Sequence, residues 1–149
     1  MEESLEQKKR RLFGTQYLNE YKKVIKKLTK SNIQDNKILS ILETDKINEN
    51  GLKLKIKFSK KVLFKDKEEL KNIAFEIFKT DENVYLFTSL SMDCGVIMIK
   101  SITSFNFDFD FMDDSSGIIS LIDLNVKNKI LLDFYEEDKL QYLEIELYQ

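Results

Sequence analysis

The stretch ILLDFYEEDKLQYLEIELY, residues 130–148, reads as a β-hairpin. Leu132 and Phe134 alternate with Asp133 and Tyr135. After a charged turn at Glu137 to Lys139, Leu143, Ile145 and Leu147 alternate with Tyr142, Glu144, Glu146 and Tyr148. Side chains on a strand point to opposite faces in turn, so a period of two means one dry face and one wet face. A turn this short allows only antiparallel pairing. The hairpin therefore predicts an antiparallel sheet with an apolar face on a core and a face of carboxylates and tyrosines turned outward.

The neighbouring segments extend that sheet. VYLFTSLS (84–91), VIMIKSIT (96–103) and IISLIDLNV (118–126) are short apolar runs separated by turn residues around Asp93 to Gly95 and at DDSSG. LKLKIKF (52–58) follows the turn signal NENG. It predicts a half-buried strand with Leu52, Leu54, Ile56 and Phe58 inward and Lys53, Lys55 and Lys57 outward. SFNFDFDFMDDSSG (104–117) alternates four Phe with Asn106, Asp108 and Asp110. It reads as a further strand with its rings in the core, each contributing about 2 kcal/mol by burial.

Two segments have helical period. Phe13, Tyr17, Tyr21, Val24 and Leu28 form one stripe between residues 12 and 30, with Lys22, Lys23, Lys26, Lys27 and Lys30 opposite. DKEELKNIAFEIFK (66–79) carries Leu70, Ile73, Ala74, Ile77 and Phe78 on one face, and Asp66 with Glu69 predicts a capping box at its start. Residues 33–47 fit a short helix or a first strand equally. Residues 1–11 are mostly charged and read as a frayed extension. The expected architecture is one α+β domain over 1–149. An N-terminal amphipathic helix and one internal helix pack on a curled, mostly antiparallel sheet of about six to seven strands.

Composition narrows the function. The chain has 149 residues, no His, no Pro, no Trp and one cysteine. Without His, neither a Ser-His-Asp nor a Cys-His site can be built, and tetrahedral zinc on Cys and His is excluded. No glycine-rich phosphate loop is present, the four glycines being scattered. Cys94 has no imidazole to activate it and reads as a small structural residue in a reducing compartment. No apolar run approaches a membrane span, and the charged start lacks a signal-peptide core, so the expected location is cytoplasmic. Richness in Lys, Ile and Asn without Pro hints at an AT-rich bacterial or phage genome.

The net charge of −2 conceals an asymmetry. Residues 1–80 hold 20 Lys+Arg against 12 Asp+Glu, and residues 81–149 hold 4 against 14. Like charges facing one another across strands destabilise a sheet, so an acidic face needs a cationic neighbour or a use. Internal neutralisation by Lys53, Lys55 and Lys57 is one reading. The other is a partner-binding surface of Asp108, Asp110, Asp113, Asp114, Asp133, Tyr135, Tyr142, Glu144, Glu146 and Tyr148. Carboxylates would steer a basic protein, such as a nuclease-type toxin, and tyrosines would supply contact area. On this reading the chain is a non-enzymatic inhibitor or immunity-type protein with no cofactor, and neither membrane nor nucleic acid is its expected partner. An oligomeric structural or phage accessory protein is the main alternative. A Mg²⁺- or Ca²⁺-dependent hydrolase built on Asp108, Asp110, Asp113 and Asp114 is the lesser one, because that spacing matches no EF-hand.

Overall fold

The structure, a computed structural model, describes residues 2–30 and 37–149. Strands β5 (Lys129–Glu137) and β6 (Leu140–Tyr148) form the expected hairpin. Its two-residue turn, Asp138 and Lys139, has positive φ at both positions, the twist that suits a tight antiparallel connection. β4 (Ile118–Asp123) pairs with β5, β2 (Val84–Phe87) pairs with β4, and β3 (Ile97–Ile99) pairs with β2. β1 (Ile56–Leu63) pairs with the far side of β6. The result is an open six-stranded antiparallel sheet in the order β1-β6-β5-β4-β2-β3. Helices of ten or more residues are α1 (Leu5–Gly14), α2 (Leu18–Leu28), α3 (Ile41–Leu52) and α4 (Glu68–Ile77), with a single turn, α5 (Ser91–Cys94), before β3. The fold is α+β.

The front face of the sheet carries the main core. Leu143, Ile145, Leu132, Phe134, Leu121 and Leu86 are buried there beneath Tyr21, Ile25 and Leu28 of α2 and Leu70, Ile73 and Ala74 of α4. The helical stripe thus does what its spacing predicts from Tyr21 onward. Its first part differs: a short 3₁₀ turn at Thr15–Tyr17 breaks the segment into α1 and α2, and Phe13 stays exposed.

The expected strand at 105–111 is absent, and the expectation is corrected. Phe105, Phe107 and Phe109 are buried as anticipated, but the backbone between them turns rather than extends. The polar residues make those turns. Asn106 Oδ1 accepts from the Asp108 N–H at 3.1 Å, and Asp113 Oδ2 accepts from the Asp110 N–H at 2.7 Å. Asn and Asp bond to nearby backbone in this way and are poor strand formers. The segment is also tied to the end of α2, where the Asn106 N–H donates to the Leu28 carbonyl at 2.8 Å and Asn106 Nδ2 donates to that of Lys27 at 3.0 Å.

Three further boundaries differ from expectation, and one open reading is resolved. Leu5–Gly14 is helix rather than frayed chain, started by a capping box between Ser4 and Gln7. Of residues 33–47, positions 33–36 lie outside the described residues. From Ile41 the chain is helix α3, started by a Ser40–Glu43 capping box. α3 runs through NENG to Leu52, so the turn read there is the last helical turn and β1 begins only at Ile56. Asp66 does not cap α4, which follows a 3₁₀ turn; Glu69 instead accepts from Lys60 Nζ at 2.8 Å.

The α1 helix is docked by charge. Arg10 makes a two-pronged contact with Asp45 of α3, at 2.9 and 2.7 Å, and also donates to the Met92 carbonyl in α5. Gln7 adds a bond to the same carboxylate at 2.9 Å. The Arg10 hydrogen bonds hold the Asp45 carboxyl below its ordinary value, with burial opposing. A group lowered on folding stabilises above its unfolded value and loses that stabilisation as pH falls through the folded one. Asp45→Asn is therefore expected to cost about 1–3 kcal/mol at pH 7. Melting scans of both proteins should converge as pH falls below about 4. A gap that stays constant to pH 3 would mean the pair contributes nothing through its charge.

Candidate partner-binding face

The back face of the sheet is divided in two. α3 covers the β4-β2-β3 half, where Ile47 packs with Phe87, Val96 and Ile122. Gly51 near the end of α3 lies against Ile122 and the Lys129 stem: a Cβ there would come 3.3 Å from an Ile122 methyl and 3.9 Å from Lys129 Cδ. Among the described residues, the second core cluster does not extend over the back of the β1-β6-β5 half.

Register fills that open half with the predicted side chains. Leu143, Ile145 and Leu147 face the core, so Tyr142, Glu144, Glu146 and Tyr148 face the other way along β6. On β5, Asp133 lies directly opposite Glu144, and Tyr135 opposite Tyr142. Tyr135 donates to Glu144 Oε1 at 3.0 Å, and the Tyr148 hydroxyl reaches Glu146 at 3.4 Å. The Tyr135 and Tyr142 rings lie 6.0 Å apart. The face is a contiguous patch of three carboxylates and three tyrosines, all six being among the ten residues singled out from the sequence, with Tyr142 and Tyr135 at the hairpin end and Tyr148 at the other.

Among the described residues Lys61 and Lys129 border it, and neither belongs to the lysine ladder expected to neutralise it. Lys61, opposite Glu144 on β1, sits 4.2 Å from the Tyr142 ring centre, 5.5 Å from that of Tyr135 and 3.9 Å from Glu137. Lys129 lies 5.3 Å from the Tyr148 ring centre. Lys53, Lys55 and Lys57 form no ion pair among the described residues, because β1 starts late and a bulge between Ile56 and Phe58 breaks the register. Burial, and then the charge of Glu144 across the strand gap, push the Asp133 carboxyl above its ordinary value. Asp133 itself has no ion-pair partner among the described residues. The missed cation Lys61 was readable in principle: it has the opposite parity to Phe58 and Val62 along the strand.

The remaining four acids lie elsewhere. Asp108 and Asp110 are exposed on the front side, where both act electrostatically on Lys67 just before α4. Lys67 in turn lies 4.1 Å from the Phe64 ring centre. Asp113 is engaged in the turn with Asp110. Asp114 is 4 % exposed, its Oδ1 accepting from the Ser116 N–H and hydroxyl at 3.0 and 2.8 Å. These four do not join the β5–β6 patch. Among the described residues no group of three or more metal-ligating side chains converges. Cys94 donates weakly to the Gly14 carbonyl at 3.4 Å, and burial together with Asp93 pushes its thiol up to about 11, which keeps it protonated at neutral pH. No helix among the described residues is long and apolar enough to cross a membrane.

Comparison with protein-family models, with curated proteins and with solved structures found no match.

Proposed function

We propose that the chain is a non-enzymatic protein-binding domain, of the inhibitor or immunity type, that engages a basic partner through the uncovered back face of β5 and β6. The observation that carries this reading is Asp133 facing Glu144 across the hairpin, with Glu146 close by, all three partly exposed among the described residues. Like charges placed opposite each other cost the fold stability. A cationic group arriving from a partner would relieve that cost, and the tyrosines around it offer rigid contact area with polar tips. Lysine or arginine side chains suit such a setting by both charge and ring contact. A nuclease-type toxin, basic because it binds nucleic acid, has the required chemistry. The buried Asp114 and the front-side Asp108 and Asp110 take no part in this surface.

The test is a triple neutral variant, Asp133→Asn/Glu144→Gln/Glu146→Gln, which keeps side-chain shape. It is expected to melt no lower than the parent, because repulsion has been removed. In capture experiments with the tagged parent, a basic protein should be retained at low salt and lost from the triple variant, with slowed association accounting for most of the change. Asp108→Asn/Asp110→Asn should retain it. Equal retention by the folded triple variant would refute the assignment of this face.

A further inference from the structure

We propose that the outer edge of β1 is a second binding site, which takes an extended acidic peptide segment as an added antiparallel strand. It lies beside the acidic face but has the opposite charge and a different mode of recognition. β1 ends the sheet, so among the described residues one side of its backbone has no strand partner. The other end of the sheet is treated differently. There β3 is only three residues long, and Ile38 and Leu39 bridge to Ile97 and Val96 and cover it.

β1 is eight residues long and exposed through most of its length. Its approach carries apolar side chains that the core does not use: Leu52 is 67 % exposed, Ile56 51 % and Phe58 39 %. From Lys53 to Lys65 the chain has six lysines and no acidic residue. Only Lys60, with Glu69, and Lys61, with Glu137, pair with carboxylates among the described residues.

The inner neighbour shows what chemistry satisfies this strand. On β6, Leu147 and Leu143 lie opposite Phe58 and Val62, while Glu144 lies opposite Lys61. An incoming segment that alternates apolar and acidic residues would meet the same rows on the outer side. A second copy of this chain fits less well, because two β1 edges would set lysines against lysines. Lysines on an edge deter pairing with neutral or basic strands and leave acidic ones admissible.

The probe is a short fluorescein-labelled peptide alternating Glu with Val, titrated into the full chain and followed by anisotropy and by amide hydrogen exchange. Binding is expected, with exchange across Ile56–Leu63 slowed about tenfold and affinity falling as salt rises. Lys57→Glu/Lys61→Glu should weaken it by about tenfold or more. N-methylation of one alternate set of peptide amides should abolish binding, and methylation of the other set should not, since only one set faces β1. Failure of the probe to bind would overturn the proposal. Binding that leaves exchange in β1 unchanged, or that tolerates both methylation patterns, would overturn it too. Protection of β1 that rises with protein concentration without peptide, together with a doubled mass, would replace the peptide by a second copy and also overturn it.

Discussion

Phe109→Ala is expected to destabilise the protein by about 3–5 kcal/mol. The ring is fully buried and meets three others: Phe64 at 5.4 Å, Phe134 at 5.5 Å and Phe105 at 5.8 Å between centres. Removing it leaves a cavity bounded by two edge-to-face partners, Phe64 and Phe105, and by Phe134 on the front of β5, and a packed core relaxes only partly into such a gap. In a chain of this length the melting temperature should fall by about 10 °C or more. Asp108→Ala, one residue away and exposed, should shift stability by no more than about 0.5 kcal/mol. Denaturant unfolding of the two variants measures the contrast directly. Comparable losses for both would mean that the alternation of Phe and Asp does not separate core from surface.

Gly95→Ala is the second large effect, at about 3 kcal/mol or more from strain and overpacking together. Gly95 has φ of +102°, which side chains rarely adopt. A Cβ there would sit 2.1 Å from the Leu39 carbonyl oxygen, which is backbone and cannot swing aside. The site is also a junction. The Gly95 carbonyl accepts from the buried Tyr21 hydroxyl, and the next N–H, that of Val96, donates to Thr44 Oγ1 at 2.8 Å. Displacing it would loosen α2, α3 and β3 at once. Gly51→Ala offers a control. Its Cβ would come 3.3 Å from a flexible Ile122 methyl, and its helical backbone favours Ala, so a change within about 1 kcal/mol is expected. If Gly95→Ala melts within a degree or two of wild type, the close approach of Leu39 is not what holds the β3 edge.

Much of this protein is legible from its sequence because alternation and helical spacing report directly on which side chains meet water. The hairpin of β5 and β6, its inward row of Leu132, Phe134, Leu143, Ile145 and Leu147, and its outward acids and tyrosines follow from a period of two. The stripe of α2 and the face of α4 follow from a period near 3.6. The burial of Phe105, Phe107 and Phe109 was equally plain, since nothing else can be done with that much apolar surface.

What sequence could not supply is whatever depends on distant partners. A period of two is shared by a strand and by a chain that turns back on itself through Asn106 and Asp110, and only the tie to the end of α2 selects the second. NENG is a good turn sequence and also a tolerable helix end, and in α3 it forms the last helical turn, with Gly51 packed near Ile122 of β4 and Lys129 of β5. The charges of residues 2–11 look like a loose tail until Arg10 meets Asp45, 35 residues on. Strand order decided the rest. It set Lys61 rather than Lys53, Lys55 and Lys57 beside the acidic hairpin, and left β1 at the margin of the sheet. Local pattern determines which way a side chain points; the long-range pairing of strands and helices determines what it finds there.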